Sequence, residues 1–126
     1  MKEVQRSVSR WASFGHAVRG LRVLLRQPNA RIHAVAAVLV TVAGCWAEVS
    51  SGQWLALVLA MTLVIAAEAL NTALELVVDL ASPQWHDLAR DAKDVAAAGV
   101  LVCSLGACVV GILVFGPLLF RLLSVA

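Results

Sequence analysis

The chain has 126 residues, of which 61% are hydrophobic and only 14% charged, with a mean hydropathy of +0.88. Soluble domains carry about 25% charged residues, and disorder requires low hydrophobicity with high net charge, so both classes are excluded. A net charge of +2 argues against a nucleic-acid partner. Cys45, Cys103 and Cys108 lie in apolar runs and read as small buried hydrophobes, not as a disulfide framework. What remains is one small integral membrane domain covering residues 1–126.

In chain order, residues 1–30 come first. Lys2, Arg6, Arg10, Arg19, Arg22 and Arg26 interleave with Val4, Val8, Trp11, Phe14, Val18, Leu21 and Leu25 at helical steps of three, four and seven. This pattern predicts an amphipathic helix in the membrane interface, with Trp11 and Phe14 inserted and the arginines on anionic head groups. A soluble cap over the helix bundle is the alternative. Gly20 is a candidate kink, and Gln27-Pro28-Asn29 is expected to end the helix, since proline biases its predecessor away from helix.

A helix needs about 20 apolar residues to cross a bilayer. Residues 34–47, 49–67 and 95–120 form uncharged runs of 14, 19 and 26 residues. They predict transmembrane helices over 31–48, 54–81 and 95–121, the first with Arg31 and His33 snorkelling at one end. Seven of the ten basic residues lie at or before Arg31, and Arg90 and Lys93 separate the second and third spans. The loop around Ser50-Ser51-Gly52 has none, so the positive-inside rule puts the N-terminus and the Trp85 loop in the cytoplasm. Ser82-Pro83 reads as an N-cap with proline at the first helical position, which would start the third span's helix there. Ala96, Gly99, Ser104, Gly106 and Gly111 give that helix a small-residue surface for close packing.

The second span carries the chemistry. At about 100° per residue, Glu75 and Asp79 fall about 20° to either side of Glu68, with Asn71 and Thr72 beside them. One narrow face thus holds three carboxylates, an amide and a hydroxyl. Such acids repel and are costly to bury ionised, so they need basic side chains, protons or a cation. Oxygen ligands suit a hard ion such as Mg²⁺, and Glu68, the deepest acid, suits a general base. A purely structural polar network is the bland alternative. His86, Arg90, Lys93 and Asp94 recur on one side of the next helix, and Lys93 is a point cation fit for phosphate or, more simply, a juxtamembrane anchor. No GxxxxGK[ST], GxGxxG or metal-ligating histidine pair occurs, so any nucleotide is bound without a glycine-rich cradle.

The run Glu68-Ala-Leu-Asn71-Thr-Ala-Leu-Glu75-Leu-Val-Val-Asp79, then Ser82-Pro83 and His86-x-Leu-Ala-x-x-Ala-Lys93-Asp94, resembles the signature of the prokaryotic diacylglycerol kinase family. Undecaprenol kinase belongs to the same family. The resemblance extends to Ser13-Phe14, Ala17, Gly20-Leu21 and Arg31-Ile32-His33. It implies an all-α integral membrane protein of the bacterial cytoplasmic (inner) membrane, with three transmembrane helices and an N-terminal interfacial helix. Assembly is expected to be a homotrimeric bundle with active sites shared between protomers.

The resemblance also implies roles. Glu68 matches the catalytic base and Glu75 a ligand of the Mg²⁺ that bridges the ATP phosphates. Asn71 and Asp79 match polar residues of the nucleotide site, His86 falls in its loop, and Lys93 and Asp94 match the pair at the phosphates and purine. The family's second metal-binding glutamate aligns with Gln27, a departure that bears on metal affinity and not on class. The expected reaction is ATP-dependent phosphorylation of a membrane lipid alcohol, either diacylglycerol or undecaprenol. An intramembrane proton or cation pathway and a non-catalytic subunit of a membrane complex are the rivals.

Overall fold

The structure, a computed structural model, describes residues 10–125. Lys2, Val4, Arg6 and Val8 of the expected interfacial helix lie outside the described residues. Among the described residues the fold is entirely helical: α1 (Arg10–Leu24), α2 (Pro28–Trp46), α3 (Ser51–Ala81) and α4 (Asp87–Val125). The last three are each long and apolar enough to cross a membrane.

The helix boundaries refine the sequence reading. Helix α1 runs through Gly20 unbroken and closes in a turn in which Gln27 N donates to Leu24 O at 2.9 Å. Pro28 does more than end α1, because it is also the first residue of α2. There its fixed φ suits the helix and its missing N–H leaves nothing unsatisfied. Helix α2 therefore starts three residues before Arg31.

The connection between α2 and α3 is built from two caps. Glu48 adopts φ 49°, while Glu48 N donates to Cys45 O at 3.4 Å and Val49 N to Gly44 O at 3.3 Å. These two bonds make a Schellman closure with glutamate at its left-handed position. Ser50 then caps α3. Gln53 N donates to Ser50 Oγ at 3.4 Å and Ser50 N to Gln53 Oε1 at 2.8 Å, a reciprocal capping box. Helix α3 accordingly begins at Ser51 instead of residue 54.

At the far end, Ser82-Pro83 does not start α4, contrary to expectation. Ser82 has left the helical region (φ −134°, ψ 76°), and its hydroxyl donates to Gln84 O at 3.1 Å instead of accepting an amide. Residues 82–86 are non-helical, and His86 is the cap of α4. Its Nδ1 accepts from Leu88 N at 3.2 Å, and its carbonyl accepts from Ala89 N and Arg90 N.

Helices α3 and α4 pack against each other along most of their length. Leu57, Val114 and Val49 form the buried core at one end, with Trp54, Met61, Val110 and Phe115 packed on it. At the other end Lys93 meets Asp79. Helix α2 crosses α3 where buried Gly44 meets Trp54, and a Cβ at Gly44 would lie 2.8 Å from the indole. Only hydrogen fits there. Most large apolar residues of α2, α3 and α4 face outward, as helices in lipid or in a larger bundle require. Pro117 lies inside α4 near its end, a position that membrane helices accommodate.

Candidate functional site

The polar face of α3 forms a gradient of burial. Glu68 is only 2% exposed, and Asn71 and Thr72 are also buried. Glu75 is half-buried and Asp79 is exposed. By helical rise, Glu75 lies ~10 Å and Asp79 ~16 Å beyond Glu68 along the axis. The other residues of this stretch of α3 are Leu, Val and Ala.

Partners follow the same order. Asn71 Nδ2 donates to Glu75 Oε1 at 3.0 Å, fixing one carboxylate oxygen and turning the amide oxygen away. Lys93 Nζ donates to Asp79 Oδ1 at 2.5 Å and so ties the start of α4 to the exposed end of α3. Both groups are substantially exposed, so the pair orients Lys93 more than it stabilises the fold. Arg90 is engaged elsewhere, by Asp91 at 2.8 Å, Asp87 at 3.6 Å and the face of Trp85 at 5.9 Å. His86 is exposed and serves as the α4 cap, and Asp94 is exposed beside Lys93.

Among the described residues, four buried side-chain oxygens lack a hydrogen-bond partner: Glu68 Oε2, Asn71 Oδ1, Thr72 Oγ1 and Ser104 Oγ. Buried polar atoms are nearly always satisfied. Three of the four sit on one turn of α3, at the inner end of the acidic face. This is a place with unused hydrogen-bonding capacity, walled by apolar side chains.

Metal ligation is less concentrated. Among the described residues no three His, Cys, Asp or Glu side chains converge on one point. Gln27 is half-buried at the N-cap of α2, where its side chain makes no capping bond. Magnesium typically takes one or two protein carboxylates and fills its shell with phosphate oxygens and water. Glu75 fits that donor set, whereas an all-protein cage does not.

Sequence reasoning did not anticipate the apolar groove. A cavity of about 1010 Å³ opens between α1, α2 and α3, walled by Leu21, Leu24, Val38, Val58, Ile65 and Leu76. Thr72, Ala69 and Ala73 line it as well, so it runs alongside the turn that carries Glu68. The signal was the small residues Ala37 and Thr41 on α2 and Ala66, Ala69 and Ala73 on α3, whose short side chains leave this volume unfilled.

Residues 15–115 match the family described as prokaryotic diacylglycerol kinase. The chain is 40% identical over 106 residues to an undecaprenol kinase of Bacillus subtilis, covering 83% of this chain and 86% of that protein. It is 35% identical over 89 residues to the diacylglycerol kinase of Escherichia coli K12, with 70% and 73% covered. A Synechocystis diacylglycerol kinase is 41% identical over 110 residues, 85% of this chain and 63% of the relative.

Proposed function

The chain belongs to the prokaryotic diacylglycerol kinase family, and on that premise we propose that it is a membrane lipid kinase. It transfers the γ-phosphoryl group of ATP to the hydroxyl of a membrane alcohol, diacylglycerol or undecaprenol. The observation that carries this reading is the buried carboxylate of Glu68, with an unpartnered oxygen, at the inner end of a polar face that reaches the surface at Asp79 and Lys93. A lipid hydroxyl arrives from the apolar side and a nucleotide from the aqueous side. The groove beside Thr72 suits an acyl or prenyl chain.

In the reaction the Glu68 carboxylate accepts the proton of the lipid hydroxyl as its oxygen attacks the γ-phosphorus. The new O–P bond forms while the bond from the γ-phosphorus to the bridging oxygen of ADP breaks, and ADP leaves. Such transfer depends on positioning and charge neutralisation. Lys93, oriented by Asp79, supplies a cation at the phosphates. Asn71 holds the Glu75 carboxylate, and His86 and Asp94 flank the nucleotide. Magnesium, held by Glu75 with Gln27 as an amide ligand, would neutralise charge on the phosphate oxygens. Because an amide lacks the charge that favours a hard cation, Gln27→Glu is expected to lower the Mg²⁺ concentration for half-maximal rate about threefold or more. A Mg²⁺ titration at saturating ATP checks this, and superimposable curves would remove Gln27 from the metal site.

The single chain buries Glu68, Asn71 and Thr72 by itself, but it leaves Glu75 half-buried, and the exposed apolar surface of α2, α3 and α4 is large. We therefore assign a homo-oligomer, in keeping with the expected trimer, in the cytoplasmic membrane with the Trp85 loop inside. The N-terminal helix lies in the interface, with exposed Trp11 and Phe14 in lipid.

The test is purified protein with radiolabelled ATP and either diacylglycerol or undecaprenol in mixed micelles. Label should pass to one of the two lipids in a Mg²⁺-dependent manner. Absence of transfer to both, together with ion or proton flux in vesicles that needs neither ATP nor Lys93, would overturn the assignment in favour of a conduction pathway.

A further inference from the structure

We infer that Ser104 is a positioning residue for Glu68, its hydroxyl donating a hydrogen bond to the carboxylate across the interface of α3 and α4. This rests on the reading of Glu68 as the base. The register of the two helices places the pair. Asp79 meets Lys93 at one end, and Leu57 clusters with Val114 at the other. In an antiparallel pair so aligned, the α4 residue level with Glu68 is Ser104. Both lie on the contact faces of their helices, in line with Val64 and Val100, which are buried there.

Both groups also lack partners. Glu68 Oε2 and Ser104 Oγ are buried and unbonded. A hydroxyl in an apolar helix ordinarily bonds the carbonyl one turn back. Thr41 does so to Ala37 O at 2.8 Å, and Ser124 bonds Arg121 O at 3.0 Å. Ser104 does not. No Lys, Arg or His occurs on α4 between Lys93 and Arg121, nor anywhere on α3, so no cation of this pair lies at the level of Glu68. Asn71 already donates to Glu75, and Thr72 lines the groove on the α1 and α2 side. Ser104 is the donor left on the α4 side. Rotation about its Cα–Cβ bond turns the hydroxyl toward the carboxylate, which is then held with one oxygen free for the substrate proton.

The experiment compares Ser104→Ala, Ser104→Thr and Glu68→Gln with the unmodified protein in mixed micelles. Ser104→Ala should lower kcat about tenfold, the scale of one hydrogen bond to a charged group. KM for lipid and ATP should not change, and the protein should stay folded at the assay temperature. Ser104→Thr keeps the hydroxyl and should recover kcat to within about twofold. An alanine variant with unaltered kcat overturns the inference. So does a threonine variant as slow as alanine at the native melting temperature, which would make shape and not the hydroxyl responsible. If Glu68→Gln keeps full turnover, the base assignment itself fails. If Glu68→Gln is inactive while Ser104→Ala keeps its rate, only the role of Ser104 fails.

Discussion

The two ends of the α3–α4 pair are built on opposite principles. At one end Val49, Leu57 and Val114 are buried together, Trp54 fills the space beside Gly44, and both helix caps of the preceding turn are satisfied. At the other end, starting from Glu68, buried oxygens go unpartnered, and the helices are tied at the surface by an exposed ion pair. One end is packed for stability. The other forgoes stability for reactive capacity, since each unsatisfied buried group costs about 1–3 kcal/mol. The same two helices therefore carry a scaffold and a site, and substitutions should sort cleanly between them.

The largest separation is expected at Glu68. Glu68→Gln is nearly isosteric but cannot accept a proton, and a general base typically contributes about 10²–10⁴-fold. Turnover should fall by that factor while the melting temperature in detergent stays level or rises, because a buried carboxylate becomes a neutral amide. Radiolabel transfer and thermal denaturation measured side by side check both halves. A folded Glu68→Gln protein with full turnover would assign the polar end to structure.

Lys93 comes next. Lys93→Ala removes the cation at the exposed end of the face and should reduce kcat/KM for ATP about 10- to 100-fold, as expected of a lost charge-assisted contact to phosphate. Stability should barely move, since exposed ion pairs contribute about 0–1 kcal/mol. Initial rates against ATP concentration decide it. An unaltered KM and kcat would make Lys93 a membrane anchor.

The counterpart at the packed end is Gly44. Gly44→Leu drives a side chain into Trp54, where even a Cβ would sit 2.8 Å from the ring. Overpacking of this kind costs about 1–3 kcal/mol, so the melting temperature should drop while molecules that remain folded keep their kcat. A loss of kcat at full folding would mean that the two ends are mechanically coupled.

How much of this was legible beforehand divides along the same line. The polar face could be read from periodicity alone, because five polar residues on one stripe of an apolar helix have few other meanings, but periodicity does not show that one chain buries Glu68 by itself. The membrane helices could be read from the uncharged runs. What escaped was local and geometric. Ser82-Pro83 looked like a cap, yet a serine hydroxyl can turn to a carbonyl as easily as to an amide, and the cap passed to His86. Ser50-x-x-Gln53 was a readable capping box that would have started α3 at the right residue. The groove and the level of Ser104 depend on helix register, which a hydropathy pattern does not contain.

The smallest expected effect is in the turn between α2 and α3. Glu48 holds the left-handed position of the Schellman closure at φ 49°, with Val49 buried after it against Leu57 and Val114. A residue with a Cβ pays roughly 1–2 kcal/mol for that conformation, while glycine adopts it freely but loses more entropy on folding, roughly 0.5–1 kcal/mol. The difference leaves Glu48→Gly more stable by about 0.5–1 kcal/mol. Glu48→Val should move the other way, because a β-branched side chain tolerates positive φ least. The turn lies ~27 Å along α3 from Glu68, so kcat should be the same in all three proteins. Melting temperatures in the order Gly above Glu above Val, at one common turnover, would show the packed end tuned without touching the site. A common melting temperature would mean that Val49 and the capping box hold the turn, whatever residue occupies position 48.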